Sequence, residues 1–288
     1  MIDGENQVSV VIPTLGGESL KGTIDHLNAG SIVPAEILIC IPAEDSHRVS
    51  EFACPNVKVL RTDCRGQVAQ RSIGFRHAAF NLVLQIDDDI VVERDCLELL
   101  VEALNYGGEN CAVAPSLRWH DNKESLYKAT LNPFMLKAFY WFLNGSAGYR
   151  AGTVTVAGTG IGVDPETSGC ESVAAQWLPG GCVLHRKVNL VLDDYFPFKG
   201  KAFCEDLIHS FLLTRRSIRL IVNTKAVSLV FRPEAEPLRQ CLKAWWTNLR
   251  SRRYYVRLTS RSMPRMYFYF LALIVRQLTI KQNGSGTK

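Results

Sequence analysis

Three consecutive aspartates, Asp87, Asp88 and Asp89, follow the apolar run NLVLQI and carry the strongest chemical signal in the sequence. Adjacent carboxylates repel and raise each other's pKa unless something positive sits among them. Hard carboxylate oxygens suit Mg²⁺ or Mn²⁺, and Mg²⁺ sites commonly use one or two carboxylates while substrate phosphates complete the shell. The triplet is therefore a candidate metal and phosphate site, with a solvated acidic turn as its structural alternative. A second acidic pair, Glu205-Asp206, opens the helix-like stretch EDLIHSFLLTRRS. Acids at a helix start interact favourably with the helix dipole, which is their ordinary structural role.

The elements that must position these groups alternate between strand-like and helix-like patterns, as in a βαβ sheet. Val8 to Pro13 reads as a strand, Glu18 to Asn28 as a helix, Ile37 to Ile41 as a second strand and Val57 to Arg61 as a third. Gln67 to Ala79 reads as a helix opened by Gly66, Asn81 to Ile86 as a fourth strand, and Cys96 to Leu104 as a helix with Leu97, Leu100, Val101 and Leu104 on one face. Parallel strands deliver their C-terminal ends to one edge, where ligands bind in open α/β sheets. The aspartates lie at that edge.

Residues 118–176 are poorly patterned and read as an extension or lid. They hold a helix candidate, Pro133 to Leu143, and a Gly and Thr-rich passage with Gly158, Gly160 and Gly162. No Lys-Ser or Lys-Thr follows these glycines, so a flexible lid or connection is expected rather than a phosphate loop. A helix from about Glu205 and two short strands, Ile218 to Asn223 and Ala226 to Phe231, complete a first unit over 1–236.

The 288 residues are 47% hydrophobic and 21% charged, which excludes disorder and fibrous repeats. Charge is unevenly spread. Eleven of the 33 Lys and Arg lie between Pro237 and Lys288 with no Asp or Glu, leaving 22 basic against 28 acidic groups in the first 236 residues. An acidic body with a basic tail suggests an anionic partner. The nine cysteines form no CxxC pair and read as reduced structural thiols. The opening residues have no basic region and do not read as a signal peptide, so residence in the cytoplasm is expected.

Together these features resemble the family 2 glycosyltransferases of the GT-A fold. That family usually shows a strand reading VSVVIPT, a Gly and Ala-rich helix containing ARN, a strand ending in DxD, and later W-x-x-G-G and E-D motifs. This chain supplies VSVVIPT at Val8 to Thr14, GQVAQRSIG at Gly66 to Gly74, the aspartate triplet, WLPGG at Trp177 to Gly181, and Glu205-Asp206 followed by a helix and Arg215.

The resemblance implies a GT-A-type, Rossmann-like, predominantly parallel sheet flanked by helices, and inverting transfer from a nucleotide-sugar to a carbohydrate hydroxyl. Pro13 and Thr14 would line the nucleoside pocket, Arg71 would reach the nucleotide, and Asp87 would face the ribose. Asp89 would bind the Mn²⁺ or Mg²⁺ bridging the two phosphates, together with Asp87, and Asp88 is the competing candidate. Asp206 would be the general base, with Glu205 beside it. Trp177, Gly180 and Gly181 are assigned to the acceptor side, with a buried structural Trp177 as the alternative. Two departures stand out. Ile41 and Pro42 occupy the place of the usual base-reading acidic pair, although Glu44 and Asp45 lie slightly later, and AVSLVFRP lacks the His that many relatives use as a further metal ligand. A nucleotidyltransferase and a degenerate, non-catalytic scaffold are the alternative functions.

The tail, 237–288, reads as a basic amphipathic helical segment. Leu238, Leu242, Trp245, Trp246, Leu249 and Val256 share one side of a helix, and Met266 to Val275 is a ten-residue apolar run. That run is too short to span a bilayer, which needs about 20 residues. Nucleic-acid binding would explain the arginines and aromatics but not the apolar run; a helix pair in a core or oligomer is a further alternative. An interfacial segment explains both features. Peripheral attachment to the inner face of the cell membrane is expected, with a lipid-linked saccharide or surface glycan as acceptor.

Overall fold

A computed structural model describes residues 6–49, 52, 54–128, 133–232 and 238–284. Residues 1–5, on which the signal-peptide reading rests, and the expected boundary at 236 and 237 lie outside the described residues. β1 (Val8–Pro13) is buried throughout and lies in a parallel set with β2 (Glu36–Pro42), β3 (Val57–Thr62) and β4 (Leu82–Ile86). Alternate residues of β1 face opposite ways. Val10 and Ile12 pack with Leu20 and Ile24 of α1 (Ser19–Asn28) and with Leu100 and Leu104 of α3 (Cys96–Gly107). Val11 packs with Cys40, Val83 and Phe75, the last from α2 (Gln67–His77). Burial on both faces explains the unbroken apolar strands. α2 lies so close to the sheet that a Cβ on Gly74 would stand 2.4 Å from Val11 Cγ1 and 2.6 Å from Cys40 Sγ.

The full sheet has nine strands among the described residues, in the order β3-β2-β1-β4-β8-β6-β9-β5, with β7 (Ser172–Ala175) also paired to β9. β8 (Cys182–Arg186) runs antiparallel to both β4 and β6 (Cys111–Trp119), β6 is parallel to β9 (Arg219–Val230), and β5 (Ile90–Val92) is antiparallel to β9. The expected parallel character thus describes the N-terminal four strands, and antiparallel strands supply most of the remainder. The two short strands predicted near the end of the first unit are one strand, β9. Its register against β6 jumps between Pro115 and Ser116, from Asn223 to Val227, and Asn223 Oδ1 accepts the N–H groups of Lys225 and Ala226 within the resulting bulge. The sequence break at Thr224-Lys225 is that bulge, not a chain reversal.

The middle region contains α4 (Pro133–Asn144) and the short α5 (Pro165–Ser168). The expected flexible lid is instead packed where Gly158, Gly160 and Gly162 lie: Thr155, Ala157, Thr159 and Ile161 are buried. A Cβ on Gly158 would meet Val256 at 2.5 Å, one on Gly160 the Trp177 ring at 2.3 Å, and one on Gly162 the Tyr127 ring at 2.2 Å. These glycines admit neighbouring side chains. α6 (Glu205–Arg215) precedes β9, and α7 (Leu238–Leu258) and α8 (Met263–Gly284) end the chain. α7 docks on the body of the sheet domain: Tyr255 is buried with Trp177, Leu207 and Ile208, and Arg252 Nη1 donates to Gly158 O at 2.8 Å. Its other neighbour is α8, through Trp245, Leu249, Val256, Met266 and Phe270. Trp246, expected beside Trp245, is exposed.

Candidate active site

β1, β2 and β4 end at one edge of the sheet, and a cavity of about 990 Å³ opens there. Pro13, Thr14, Leu15 and Gly17 line it from the end of β1, Gly66, Gln67 and Gln70 from the start of α2, and Asp87, Asp88 and Asp89 from the end of β4. Gln70 ties the first two segments together, donating from Nε2 to Thr14 O at 2.8 Å and to Cys40 O at 2.7 Å. A helix N-terminus presents unpaired N–H groups and favours anions.

The three aspartates take different surroundings. Asp87 Oδ1 accepts from Gln67 Nε2 at 2.7 Å and from Arg71 Nη2 at 3.1 Å, and its backbone N–H donates to Gly181 O at 2.9 Å. Burial, opposed by Arg71 and Gln67, pushes its pKa up to about 6. Asp88 Oδ2 accepts from the Thr14 hydroxyl and its carbonyl from Thr23 Oγ1, while burial raises its carboxyl pKa. Asp89 is exposed on the cavity wall. The oxygen donors suit a hard divalent ion. Among the described residues no group of three or more His, Cys, Asp or Glu side chains is placed to hold a metal, so such an ion would take one or two of these carboxylates and complete its shell from substrate phosphate and water. His120 stacks on Phe231, just past the end of β9, with ring centroids 4.3 Å apart.

Arg71, expected at the nucleotide, is instead 2% exposed and absent from the cavity lining. Its Nη1 donates to Glu205 Oε1 at 2.8 Å while Nη2 holds Asp87, so it ties the cavity edge of the sheet to the start of α6. Burial works against its charge, but Glu205 and Asp87 outweigh it and raise the guanidinium pKa. Glu205 Oε2 also accepts from Tyr195 Oη at 2.7 Å. Glu205 is thus engaged at both oxygens. The Gly180-Gly181 backbone runs between the two acidic groups: a Cβ on Gly180 would lie 2.6 Å from Glu205 Oε1, and one on Gly181 3.4 Å from Asp87 Oδ2. A side chain at Gly180 would have to displace the Glu205 carboxylate, and one at Gly181 would meet Ile90 Cδ1 at 2.3 Å.

Asp206 is half-buried, and its Oδ1 accepts the Leu207 N–H at 2.8 Å. Burial first, then the Glu205 charge, push its pKa up to about 7, against the pull of Leu207 N–H and Arg252. Arg252 comes from α7, so the C-terminal helices reach the surroundings of this carboxylate. A carboxylate that titrates near neutral pH is suited to take a proton from a hydroxyl.

Trp177 is 8% exposed, its Nε1 donates to Ile161 O at 3.0 Å, and its ring meets Tyr127 edge-on at 6.1 Å. It is a buried structural residue that offers no free ring face. His185 and His209 are buried with ring centroids 5.4 Å apart. Desolvation lowers the pKa of both, to about 3 for His209. They are neutral packing groups behind Arg71.

Sequence patterning did not single out several lining residues. Arg48, Arg65, Lys199 and Lys201 bring four positive groups to the cavity. Glu44 and Asp45, candidates for reading the base, both accept from Arg65 Nη1, at 3.0 and 2.9 Å, so the side chain between them and the cavity is basic. Arg65 could have been found from its place before Gly66; Lys199 and Lys201 sit in a loop without periodicity.

The family model for glycosyl transferase family 2 matches residues 9–159. No curated protein matches the sequence. Among solved structures, the crystal structure of GalNAc-T7 with UDP, GalNAc and Mn²⁺ superposes with a TM-score of 0.57 at 16% identity, over 78% of this chain and 44% of that one. S. aureus TarS 1-349 superposes with a TM-score of 0.49 at 13% identity, over 87% of this chain and 65% of that one. The chain therefore spans less than half of the first protein's length and under two thirds of the second's. The first superposition shows the GT-A fold, and the family match covers more than half of the chain, including the end of β1, α2 and the aspartate triplet: the chain belongs to glycosyl transferase family 2.

Proposed function

We propose that this glycosyltransferase moves a sugar from a nucleotide-sugar to a carbohydrate hydroxyl with inversion of the anomeric carbon. The observation that carries the reading is the pairing of a single cavity, shared by Thr14, the start of α2 and Asp87 to Asp89, with a near-neutral carboxylate, Asp206, across the Gly180-Gly181 backbone. The acceptor oxygen attacks the anomeric carbon as its bond to the diphosphate breaks. Asp206 takes the hydroxyl proton, and the bonding electron pair departs with the nucleoside diphosphate. A single displacement inverts the centre.

Arg71 holds Glu205 and Asp87 in place, which fixes Asp206 relative to the donor edge. Arg65, Lys199 and Lys201 attract the anionic donor and balance charge on the leaving group. Asp89, with Asp87 or Asp88, would hold Mn²⁺ or Mg²⁺, whose charge stabilises a leaving diphosphate when the ion is bound. GalNAc-T7, which shares the fold, was crystallised with UDP and Mn²⁺, which supports a nucleotide-sugar donor and a divalent ion here. Attachment of the basic C-terminal segment to the inner face of the cell membrane, with a lipid-linked saccharide as acceptor, belongs to the same proposal.

The test is Asp206→Asn assayed with the nucleotide-sugar that wild-type protein turns over. Transfer falls by about 10² to 10⁴, the range for loss of a general base, while nucleotide binding is kept. NMR of the wild-type product shows the opposite anomer to the donor. Full activity in the variant, or a retained anomer, contradicts the mechanism.

A further inference from the structure

The middle region and the C-terminus, far apart in sequence, pack together through α4 and α8, and each helix leaves apolar side chains exposed. α4 packs beside α8: Phe142 stacks on Phe268 with centroids 4.8 Å apart, and Arg265 Nη1 donates to the carbonyls of Trp141 and Phe142 at 3.0 and 2.6 Å. Away from that contact, α4 leaves Phe134 81% and Trp141 56% exposed, seven residues apart and so on one helical stripe. α8 buries Met266 and Phe270 toward α7 and exposes Tyr267, Leu271 and Ile274, spaced four and three apart, with Leu271 at 58%. Exposed apolar patches of this kind mark interaction sites.

Charge identifies the occupant. Residues 125–163 contain Lys128, Lys137 and Arg150 and no Asp or Glu; residues 237–288 contain eleven Lys and Arg and again no acid. The two segments that form the surface are therefore both acid-free, in a chain with 28 acids elsewhere. Lys128 pairs with Glu124 and Arg265 is taken up by the α4 carbonyls, but Lys137 is exposed between Phe134 and Trp141 on α4. A surface combining Trp, Phe and Leu with such a cation, in segments without acids, matches the boundary of an anionic bilayer, where rings enter the acyl margin and cations meet headgroups. Among the described residues no helix is long and apolar enough to cross a membrane.

We propose that α4 and α8 together form a monotopic membrane seat for anionic lipid, in which Phe134 and Trp141 insert alongside Leu271. This deepens the membrane reading above, which rests on the tail alone. α7 carries Arg252 to the neighbourhood of Asp206 while packing on α8, so one helix links the seat to the proposed base.

The test is co-sedimentation of the full chain with vesicles of phosphatidylcholine alone and of phosphatidylcholine mixed with phosphatidylglycerol. Wild type binds the mixed vesicles preferentially. Phe134→Ser with Trp141→Ser, and separately Leu271→Ser with Ile274→Ser, each weaken that binding at least about tenfold, since each pair removes two apolar side chains from the lipid. Nucleotide-dependent thermal stabilisation of the same variants stays at the wild-type level, which shows that they fold and reports on the glycosyltransferase reading independently. Undiminished vesicle binding by the Phe134/Trp141 variant overturns the two-helix seat and leaves a tail-only attachment. Absence of wild-type binding overturns membrane attachment altogether. A concentration-dependent dimer in sedimentation equilibrium that the same substitutions dissolve assigns the surface to a second copy and also overturns the proposal.

Discussion

Arg71 Nη1 and Glu205 Oε1 meet at 2.8 Å across 134 residues of sequence, joining α2 to the first turn of α6. Both side chains are almost fully buried, and the second guanidinium nitrogen is committed to Asp87. The pair therefore couples the donor edge of the sheet to the residue preceding the proposed base. Breaking a buried pair from one side leaves an uncompensated charge, which costs about 3 to 5 kcal/mol. Arg71→Ala is expected to lose about that much in urea unfolding. Glu205→Gln, which keeps a hydrogen-bonding group at the same place, loses less and lowers transfer more than it lowers nucleotide affinity. Equal stability of Arg71→Ala and wild type would show that the network is not held together this way.

The raised pKa of Asp206 gives a pH signature. A general base acts when deprotonated, so transfer rises about tenfold per pH unit below about 7 and levels off above it. Stability runs the other way. The folded carboxyl holds its proton to higher pH than an unfolded Asp, whose pKa is about 4, so the group's contribution to stability is present at low pH and is lost as pH rises from about 4 through 7. Asp206→Asn flattens this part of the stability profile, measurable by denaturant midpoints across that range. A wild-type activity profile with no inflection between pH 6 and 8 would remove Asp206 as the base.

Lys199 and Lys201 line the donor cavity from the loop before α6 and are exposed. An exposed charge pair is worth about 0.2 to 1 kcal/mol, so Lys199→Ala and Lys201→Ala each weaken donor affinity by no more than about fivefold, and less so in high salt. Titration of donor binding at low and high ionic strength measures both effects. A loss that does not depend on salt would mean that the lysines act through loop structure.

How much of this was legible in the sequence differs from residue to residue. Thr14 and the aspartate triplet were placed correctly at one edge because β1 and β4 are unbroken apolar runs and a strand's end dictates where the next side chain emerges. Arg71 was readable as a residue of α2, but periodicity does not say whether a guanidinium faces a ligand or a buried carboxylate 134 residues away. β6 escaped notice because Pro115 interrupts it, and a proline inside a strand is tolerated only where the ladder is irregular, as it is between Pro115 and Ser116. Gly158, Gly160 and Gly162 looked like a connection because what they accommodate, Val256, Trp177 and Tyr127, is distant in sequence. The α4–α8 surface needed a structure for the same reason.

In the proposed function, the cavity at the end of β1 and β4 holds the nucleotide of a sugar donor through a divalent ion at Asp89. The most direct measurement is the thermal stability of the full chain with UDP, GDP, dTDP and CMP, each with and without Mn²⁺, beside Asp89→Asn. The account predicts that one nucleotide raises the melting temperature only when Mn²⁺ is present, and that the rise disappears in Asp89→Asn. Stabilisation that is equal with and without Mn²⁺, or is unchanged in the variant, would contradict the ion at Asp89; no stabilisation by any of the four would contradict the donor site itself.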